Sequence, residues 1–313
     1  MDFKTLHLVD PELQPILDKF TGFEISNDAL EALRSLPVPE PAETPKVSEV
    51  FIPRLEQDEP LRLLIIDPLS KQDNGPAVLY LHGGGFVMGS PETILPTAQK
   101  LAANIGCVII LPAYRLAPEF PFPHALRDNE RALEWIFENA QKLNVDPSRV
   151  AICGDSAGGG HAVVLANSVV KRQDIEISFL CLIYPMLDDQ TGLDTSLEEV
   201  SGEFIWTAEN NRYGWRAYIG DNHADVLECG IPARIKNFEN FPPVFIATGS
   251  LDLFVRENQE FAARCKEQGI PVELHVFPGA YHGFNVIVPD AQISQKFHQT
   301  CVAAFKQNFE NTT

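Results

Sequence analysis

Short apolar runs alternate with helical segments along most of the chain, and this alternation constrains the fold more than any other feature. Eight runs rich in β-branched residues are predicted strands, at about 48–54, 61–66, 77–82, 107–112, 149–153, 177–184, 243–248 and 272–277. Predicted helices lie between or after the later runs, at about 92–105, 124–142, 157–171, 256–268 and 291–309. Continuously apolar strands are typical of a sheet covered on both faces. The pattern therefore predicts an α/β protein with a mostly parallel eight-stranded sheet and helices on both faces.

Two parts of the chain fall outside this alternation. Residues 1–45 contain two short helical segments and a proline-rich connector. Residues 186–240 separate two predicted strands by about sixty residues, far more than one crossover helix requires. Because ligands bind at the carboxyl edge of open α/β sheets, we predict that both parts form a helical cap over that edge. The catalytic core is then predicted to comprise residues 46–185 and 241–313.

The chain is acidic, since 24 Lys and Arg against 43 Asp and Glu give a formal net charge of −19. A charge of this sign repels phosphate, which argues against nucleic acid or an anionic membrane surface as a partner. No apolar run approaches the roughly 18 residues that a bilayer span needs. The first residues contain no continuous apolar stretch of the kind found in signal peptides. We therefore expect no stable membrane insertion and a cytoplasmic location.

The six cysteines are scattered without C-x-x-C spacing. Two of them, Cys153 and Cys181, lie within apolar runs that are predicted strands. Unpaired cysteines of this kind usually act as small core hydrophobes in a reducing compartment. We predict neither disulfides nor a metal site, and no cofactor.

The candidate nucleophile is Ser156, in the segment Gly154-Asp155-Ser156-Ala157-Gly158. An apolar strand ends just before this segment, and a helix of small residues begins after it. A serine on so sharp a strand-to-helix turn needs small neighbours, and the turn projects its hydroxyl into the site above a helix N-terminus. A bare G-x-S-x-G occurs by chance, but its position between a strand and a helix indicates nucleophilic catalysis.

A run of three glycines, His82-Gly83-Gly84-Gly85, follows another apolar strand. The backbone N–H groups of Gly83 and Gly84, together with that of Ala157, are candidates for an oxyanion hole. His82 is predicted to hold the shape of this loop. The alternatives are a flexible glycine loop or a phosphate-binding turn. Neither G-x-G-x-x-G nor a Walker Gly-Lys-Ser/Thr sequence is present, which argues against nucleotide binding.

The candidate base is His282, in a loop directly after the last predicted strand. A neutral imidazole of ordinary pKa is suited to take the proton of a serine hydroxyl and return it to a leaving group. The other seven histidines lie on terminal segments, inside elements, in the glycine loop or without a supporting motif: His7, His82, His124, His161, His223, His275 and His298.

The candidate orienting acid is Asp252, which comes directly after the strand that begins near Val244. With Ser156 and His282 it gives the chain order Ser, Asp, His on successive strand ends, as an α/β-hydrolase triad requires. The rival carboxylates belong to the predicted cap, where a solvated role is expected: Asp188, Asp189 and Asp194.

With these motifs the chain resembles the hormone-sensitive-lipase family of α/β-hydrolase esterases. The matching segments occur in the family's order over residues 78–285: His82-Gly83-Gly84-Gly85-Phe86, Tyr114 to Glu119, Phe122-Pro123, Gly154 to Gly159, Tyr184-Pro185, Asp252 and His282-Gly283-Phe284. The resemblance implies an α/β-hydrolase fold with a helical cap. It also implies hydrolysis of small-molecule, short- to medium-chain carboxylic esters through an acyl-enzyme, without a cofactor, and it allows a homodimer.

The chain departs from the family pattern at two places. Gly160-His161 stands after the nucleophile where the family often has Asn. After the triad acid, where a second acidic residue is common, the run here is Leu253-Phe254-Val255-Arg256-Glu257. Neither change removes a triad member. Both leave open what supports the acid loop, the segment that contains Asp252.

Two other functions stay open at this stage. An amidase, lactonase or formamidase uses the same triad, and the motifs alone do not separate amides from esters. A non-catalytic receptor is also known on this fold, since the plant gibberellin receptors bind hormone without hydrolysing it and lack the catalytic histidine. The presence of His282 favours an enzyme.

Overall fold

The computed structural model describes residues 3–20, 24–54, 59–68, 70, 73–170, 172, 174–194, 200–221 and 226–311. Its strands are β1 Lys46–Ile52, β2 Leu61–Asp67, β3 Gly75–Leu81, β4 Val108–Pro112, β5 Val145–Asp155, β6 Phe179–Ile183, β7 Val244–Gly249 and β8 Val272–Phe277. Its α-helices are α1 Asn27–Arg34, α2 Pro91–Ile105, α3 His124–Glu138, α4 Ala140–Leu143, α5 Ala157–Val169, α6 Ala208–Ile219, α7 Val255–Glu267, α8 Phe284–Ile287 and α9 Gln292–Asn311.

Within the described residues the strands form one eight-stranded sheet, in the order β1-β2-β4-β3-β5-β6-β7-β8. The pairs β1–β2 and β2–β4 are antiparallel, and the pairs from β4 to β8 are parallel. The predicted mostly parallel sheet is therefore confirmed. Because β3 and β5 to β8 run in the same direction, the loops after their carboxyl ends meet at one edge.

Each central strand divides its side chains between two apolar clusters, because successive residues of a strand point to opposite faces. In β3, Val78 and Tyr80 belong to one cluster, which helices α2 and α9 cover. Ala77 and Leu79 belong to the other, which α3, α5 and α7 cover. All seven residues of β3 are buried. The continuous apolar runs are thus explained by the helices on both faces, as predicted.

Three local expectations differ from the structure. The predicted helix at 124–142 is interrupted at Asn139, which separates α3 from α4. The helical spacing near Leu13 corresponds to a 3-10 helix, Gln14–Phe20, rather than an α-helix. Five of the six cysteines are buried and all are free, but Cys229 is exposed. His223, weighed as a base, lies outside the described residues.

The N-terminal segment packs in two places. Leu13 and Leu17 are buried in the cluster beside α9. Helix α1 instead lies against α6, since the Ile25 N–H donates to Asn210 Oδ1 at 2.9 Å and the Tyr213 hydroxyl donates to Asn27 Oδ1 at 2.6 Å. None of the helices in the described part of the chain has the length and apolar composition that crossing a membrane requires.

Candidate active site

Ser156 lies at the turn between β5 and α5 with φ 53° and ψ −118°. A positive φ is strained for a residue with a Cβ and occurs at functional turns that the surrounding structure holds in place. The flanking glycines make this turn sterically possible. A Cβ on Gly154 would lie 2.2 Å from the Gly158 carbonyl oxygen, and one on Gly158 would lie 2.1 Å from that of Leu81. The structure thus has the sharp elbow that the sequence predicts.

The structure brings the three predicted triad residues together. His282 Nε2 lies 3.0 Å from Ser156 Oγ, and His282 Nδ1 lies 2.8 Å from Asp252 Oδ2. With Nδ1–H donating to the carboxylate, Nε2 of a neutral imidazole is free to accept the serine hydroxyl proton. Both contacts are within hydrogen-bond reach, which is the geometric condition for general base catalysis.

The imidazole and the acid are both held by their surroundings. Asp252 is fully buried, and its second oxygen, Oδ1, accepts the Phe254 N–H at 2.9 Å. The His282 ring packs edge-on against Tyr184 and Phe254, at centroid distances of 4.7 and 5.1 Å. These contacts hold the ring in the orientation in which it reaches both Ser156 and Asp252.

The glycine loop lies beside the nucleophile. A Cβ on Gly83 would come 3.3 Å from the Ser156 Cβ, and Gly84 has φ +122°. Among the described residues, no carbonyl accepts a backbone hydrogen bond from Gly83, Gly84 or Ala157. Ala157 is the first residue of α5, where backbone N–H groups have no partner within the helix. The N–H groups predicted to form an oxyanion hole therefore stay available to a ligand.

His82 stabilises the loop, as predicted. Its Nδ1 donates to the Gly83 carbonyl at 2.8 Å, and its ring stacks on Tyr114 with centroids 4.2 Å apart. The Tyr114 hydroxyl donates to the His82 carbonyl at 2.6 Å. Burial lowers the pKa of His82 to about 4, so the ring is neutral at physiological pH. Its contacts are structural, and none of them joins the nucleophile.

The open side of the site is a cleft of about 390 Å³ that contains Ser156, His282 and the glycine loop. Its wall is mainly apolar and comes from four parts of the chain: Leu33, Leu36, Val38, Met88, Ile94, Ile205, Trp206, Val286 and Ile287. Among the described apolar residues of 186–240, Ile205 and Trp206 line the cleft. Phe204 and Trp215 are buried elsewhere.

Two residues near the site were missed by the sequence reasoning. Arg34 joins the cleft wall to the core, with hydrogen bonds to the Val87 and Ala117 carbonyls at 2.8 Å each and a two-pronged contact with Glu119. Glu257 is buried and accepts the Leu187 N–H at 2.7 Å. No sequence motif indicates a role for Arg34 or Glu257. Their roles follow from contacts with residues that are distant in the sequence.

Glu257 also supports the acid loop. Its carboxyl accepts the Asp188 N–H at 3.2 Å and the Thr191 hydroxyl, so α7, which follows Asp252, is joined to the loop after β6. Burial raises the pKa of Glu257 well above its ordinary range. Support for the acid loop therefore comes from this contact and from the Phe254 N–H.

In the residues that the structure describes, no group of three or more His, Cys, Asp or Glu side chains is arranged to hold a metal ion.

Comparison with known proteins places these features in context. The family described as alpha/beta hydrolase fold matches residues 78–286. The chain is 30% identical over 287 residues to Esterase LipI of Mycobacterium tuberculosis, with 88% of each chain covered. It is also 30% identical over 297 residues to Carboxylesterase NlhH of the same species, covering 90% of this chain and 92% of that protein.

A solved structure is similar over nearly the whole chain. Bacterial Heroin Esterase aligns with a TM-score of 0.86 at 29% sequence identity, covering 97% of this chain and 99% of that one. The family match over residues 78–286 includes the β5–α5 turn and the loops that contain Asp252 and His282.

Proposed function

Because the chain belongs to the alpha/beta hydrolase fold family, in its hormone-sensitive-lipase-type group, we propose that it is a carboxylesterase with Ser156 as nucleophile. One observation carries the proposal: Ser156 Oγ, the His282 ring and the Asp252 carboxylate form a continuous hydrogen-bonded chain at the base of an open cleft. The names of LipI and NlhH as an esterase and a carboxylesterase support the reaction class.

The proposed reaction proceeds through an acyl-enzyme. Ser156 Oγ attacks the ester carbonyl while His282 Nε2 takes its proton, and Asp252 stabilises the imidazolium that forms. The N–H groups of Gly83, Gly84 and Ala157 stabilise the oxyanion of the tetrahedral intermediate. The intermediate collapses as His282 gives the proton to the departing alcohol. Water, activated by the same histidine, then hydrolyses the acyl-enzyme and frees the acid.

The cleft supports small, uncharged esters as substrates. Its volume of about 390 Å³ lies near the lower end of the roughly 300–1,000 Å³ typical of small-molecule sites. The Arg34 guanidinium at its wall is already engaged by Glu119 and two carbonyls. We therefore propose short- to medium-chain acyl esters, because an apolar wall of limited size favours a modest apolar acyl group.

We also propose the cap assignment and keep two further predictions. Residues 1–45 and 186–240 are proposed as the cap over a core of 46–185 and 241–313, since Leu36 and Trp206 from these parts line the cleft. The cytoplasmic location and the homodimer stay predictions. Fractionation of cells and sedimentation of the purified protein test them separately.

The decisive experiment is hydrolysis of a graded series of p-nitrophenyl esters, from acetate to laurate, in parallel with matching anilides and lactones. We expect kcat/KM to peak at butyrate to hexanoate and to be at least 100-fold lower for the anilides. A fluorophosphonate probe should label the folded protein on Ser156. A preference for anilides or lactones would indicate an amidase or a lactonase instead of an esterase. The absence of a Ser156 adduct would leave only a binding role.

A further inference from the structure

We propose that helix α6 positions the oxyanion loop, residues 82–89, so that the insertion at 186–240 acts in catalysis as well as in lining the cleft. The positioning residues are Gly214 and Tyr218. The inference rests on the proposed ester hydrolysis, because it concerns how the oxyanion hole of that reaction is held in place.

The loop needs an external support. Three consecutive glycines leave a backbone with little conformational preference, and Gly84 and Gly85 both have positive φ, at 122° and 58°. Oxyanion stabilisation depends on donors that are already in place before the charge develops. A loop of this composition does not supply such order by itself, so the packed elements around it must.

The first contact joins the two backbones. A Cβ on Gly214 of α6 would lie 2.6 Å from the Gly85 carbonyl oxygen, which means that the helix and the loop touch without a side chain between them. On the other side, a Cβ on Gly85 would lie 2.1 Å from the Trp206 ring. Gly85 is thus held between α6 and Trp206, which lies in the segment just before α6.

The second contact holds the next residue of the loop. Phe86 has φ 69° and is buried, and its ring stacks on Tyr218 of α6 with centroids 4.2 Å apart. Trp215 of the same helix lies 4.9 Å away, and His161 of α5 lies 5.0 Å away on the core side. The Phe86 ring is therefore enclosed by the insertion and the core together.

These contacts act on the donors through the chain. Gly85 and Phe86 follow directly after Gly83 and Gly84, whose N–H groups are proposed to bind the oxyanion. Catalytic constellations tolerate displacements of only about 0.5 Å. A loss of packing at Phe86 should therefore weaken binding of the oxyanion, while binding of the neutral ester in the cleft is much less affected.

The test compares Tyr218→Leu with Tyr218→Phe. The leucine variant loses the ring that stacks on Phe86, whereas the phenylalanine variant keeps it and loses only the hydroxyl bond to the Gly230 carbonyl. We expect Tyr218→Leu to lower kcat about tenfold with KM within twofold, which is less than the 10²–10³ typical of removing one oxyanion donor. Tyr218→Phe should restore most of the loss. Arg216→Ala, on the exposed side of α6, is the matched control and should behave as wild type.

A tetrahedral analogue separates positioning from general damage. A trifluoromethyl ketone forms a hemiketal oxyanion on the serine, so its affinity should fall by the same factor as kcat/KM in Tyr218→Leu and in Gly214→Ala. All rates and affinities are expressed per active site, titrated to completion with a fluorophosphonate, which removes any unfolded fraction. Unchanged analogue affinity per site in both variants would overturn the inference. An inactive wild type would instead overturn the proposed function.

Discussion

The Tyr80 hydroxyl donates a hydrogen bond of 2.8 Å to Asp155 Oδ1, and both side chains are buried beside Ser156. Tyr80 comes from β3 and Asp155 is the last residue of β5, so the bond joins two neighbouring strands just before the elbow. Burial raises the pKa of the Asp155 carboxyl from 3.8 to about 7. The residue next to Ser156 thus holds its proton in the native protein over a range in which an exposed aspartate has lost it.

This pKa predicts how stability depends on pH. The unfolded chain releases the Asp155 proton near pH 4, whereas the native protein keeps it until about pH 7. The stability that this group contributes is therefore complete below pH 4 and is lost as pH rises through 7, by an amount on the order of a few kcal/mol.

Asp155→Asn removes the titration and leaves an acceptor for Tyr80. We expect the unfolding free energy of the variant, relative to wild type, to increase between pH 5 and pH 8. Urea unfolding of both proteins at the two pH values measures it. Parallel changes in the two proteins would contradict the raised pKa.

Ser156→Ala should reduce hydrolysis of p-nitrophenyl butyrate to the background rate, because it removes the hydroxyl that lies 3.0 Å from His282 Nε2 and on which the acyl-enzyme is proposed to form. The change removes one buried hydroxyl and should leave the circular dichroism spectrum unchanged. Ser168→Ala is the matched control, since Ser168 lies on α5, the helix that begins directly after Ser156, and its hydroxyl donates to the Leu165 carbonyl. Full activity in Ser156→Ala would refute the nucleophile.

Asp252→Asn should lower kcat on the order of 10⁴-fold, because an amide favours the wrong imidazole tautomer. KM should change little, since Asp252 is buried beneath His282 and is not among the residues that line the cleft. Asp188→Asn tests a rival carboxylate, whose Oδ1 accepts the Gln190 N–H at 3.0 Å. If kcat falls less than tenfold in Asp252→Asn and falls further in Asp188→Asn, Asp188 would be the carboxylate that orients His282.

Arg34→Met should alter acyl-chain preference, because it releases the wall segment 33–38 from the core while keeping a side chain of similar length. We expect KM for p-nitrophenyl octanoate to rise about fivefold more than KM for the acetate. The free energy of unfolding should fall by roughly 1–3 kcal/mol, as for other charged hydrogen bonds.

Arg131→Met is the control for this prediction. Arg131 makes a similar two-pronged contact with Glu138 on α3, and neither residue lines the cleft. Loss of this contact should lower the free energy of unfolding and leave KM for both esters unchanged. Equal shifts of KM for both esters in Arg34→Met would show that the wall does not select chain length.

The periodicity of the chain was sufficient to predict most of the fold. The apolar runs that become β3, β5 and β6 are buried on both faces, so their composition reports their environment directly. Less regular segments were harder to assign. The break at Asn139 and the 3-10 helix Gln14–Phe20 depend on packing that amphipathic spacing does not specify.

The candidate site divides in the same way. Ser156, Asp252 and His282 were found from sequence because each follows a recognisable strand, and parallel strands bring their carboxyl ends to one edge. The distances among them agree with the predicted roles. Arg34 and Glu119 were not linked, because their contact joins residues 85 positions apart and no motif encodes it.

The sequence by itself determined the sheet, the elbow and the order of the three candidate catalytic residues, since local steric demands and apolar periodicity are written in neighbouring residues. Only the tertiary structure decided which side chains support them. The stacking of Tyr218 on Phe86, the bond between Tyr80 and Asp155, and the hold of Arg34 on the cleft wall all join distant segments. Such contacts depend on how separate elements pack, and packing is a property of the folded chain as a whole.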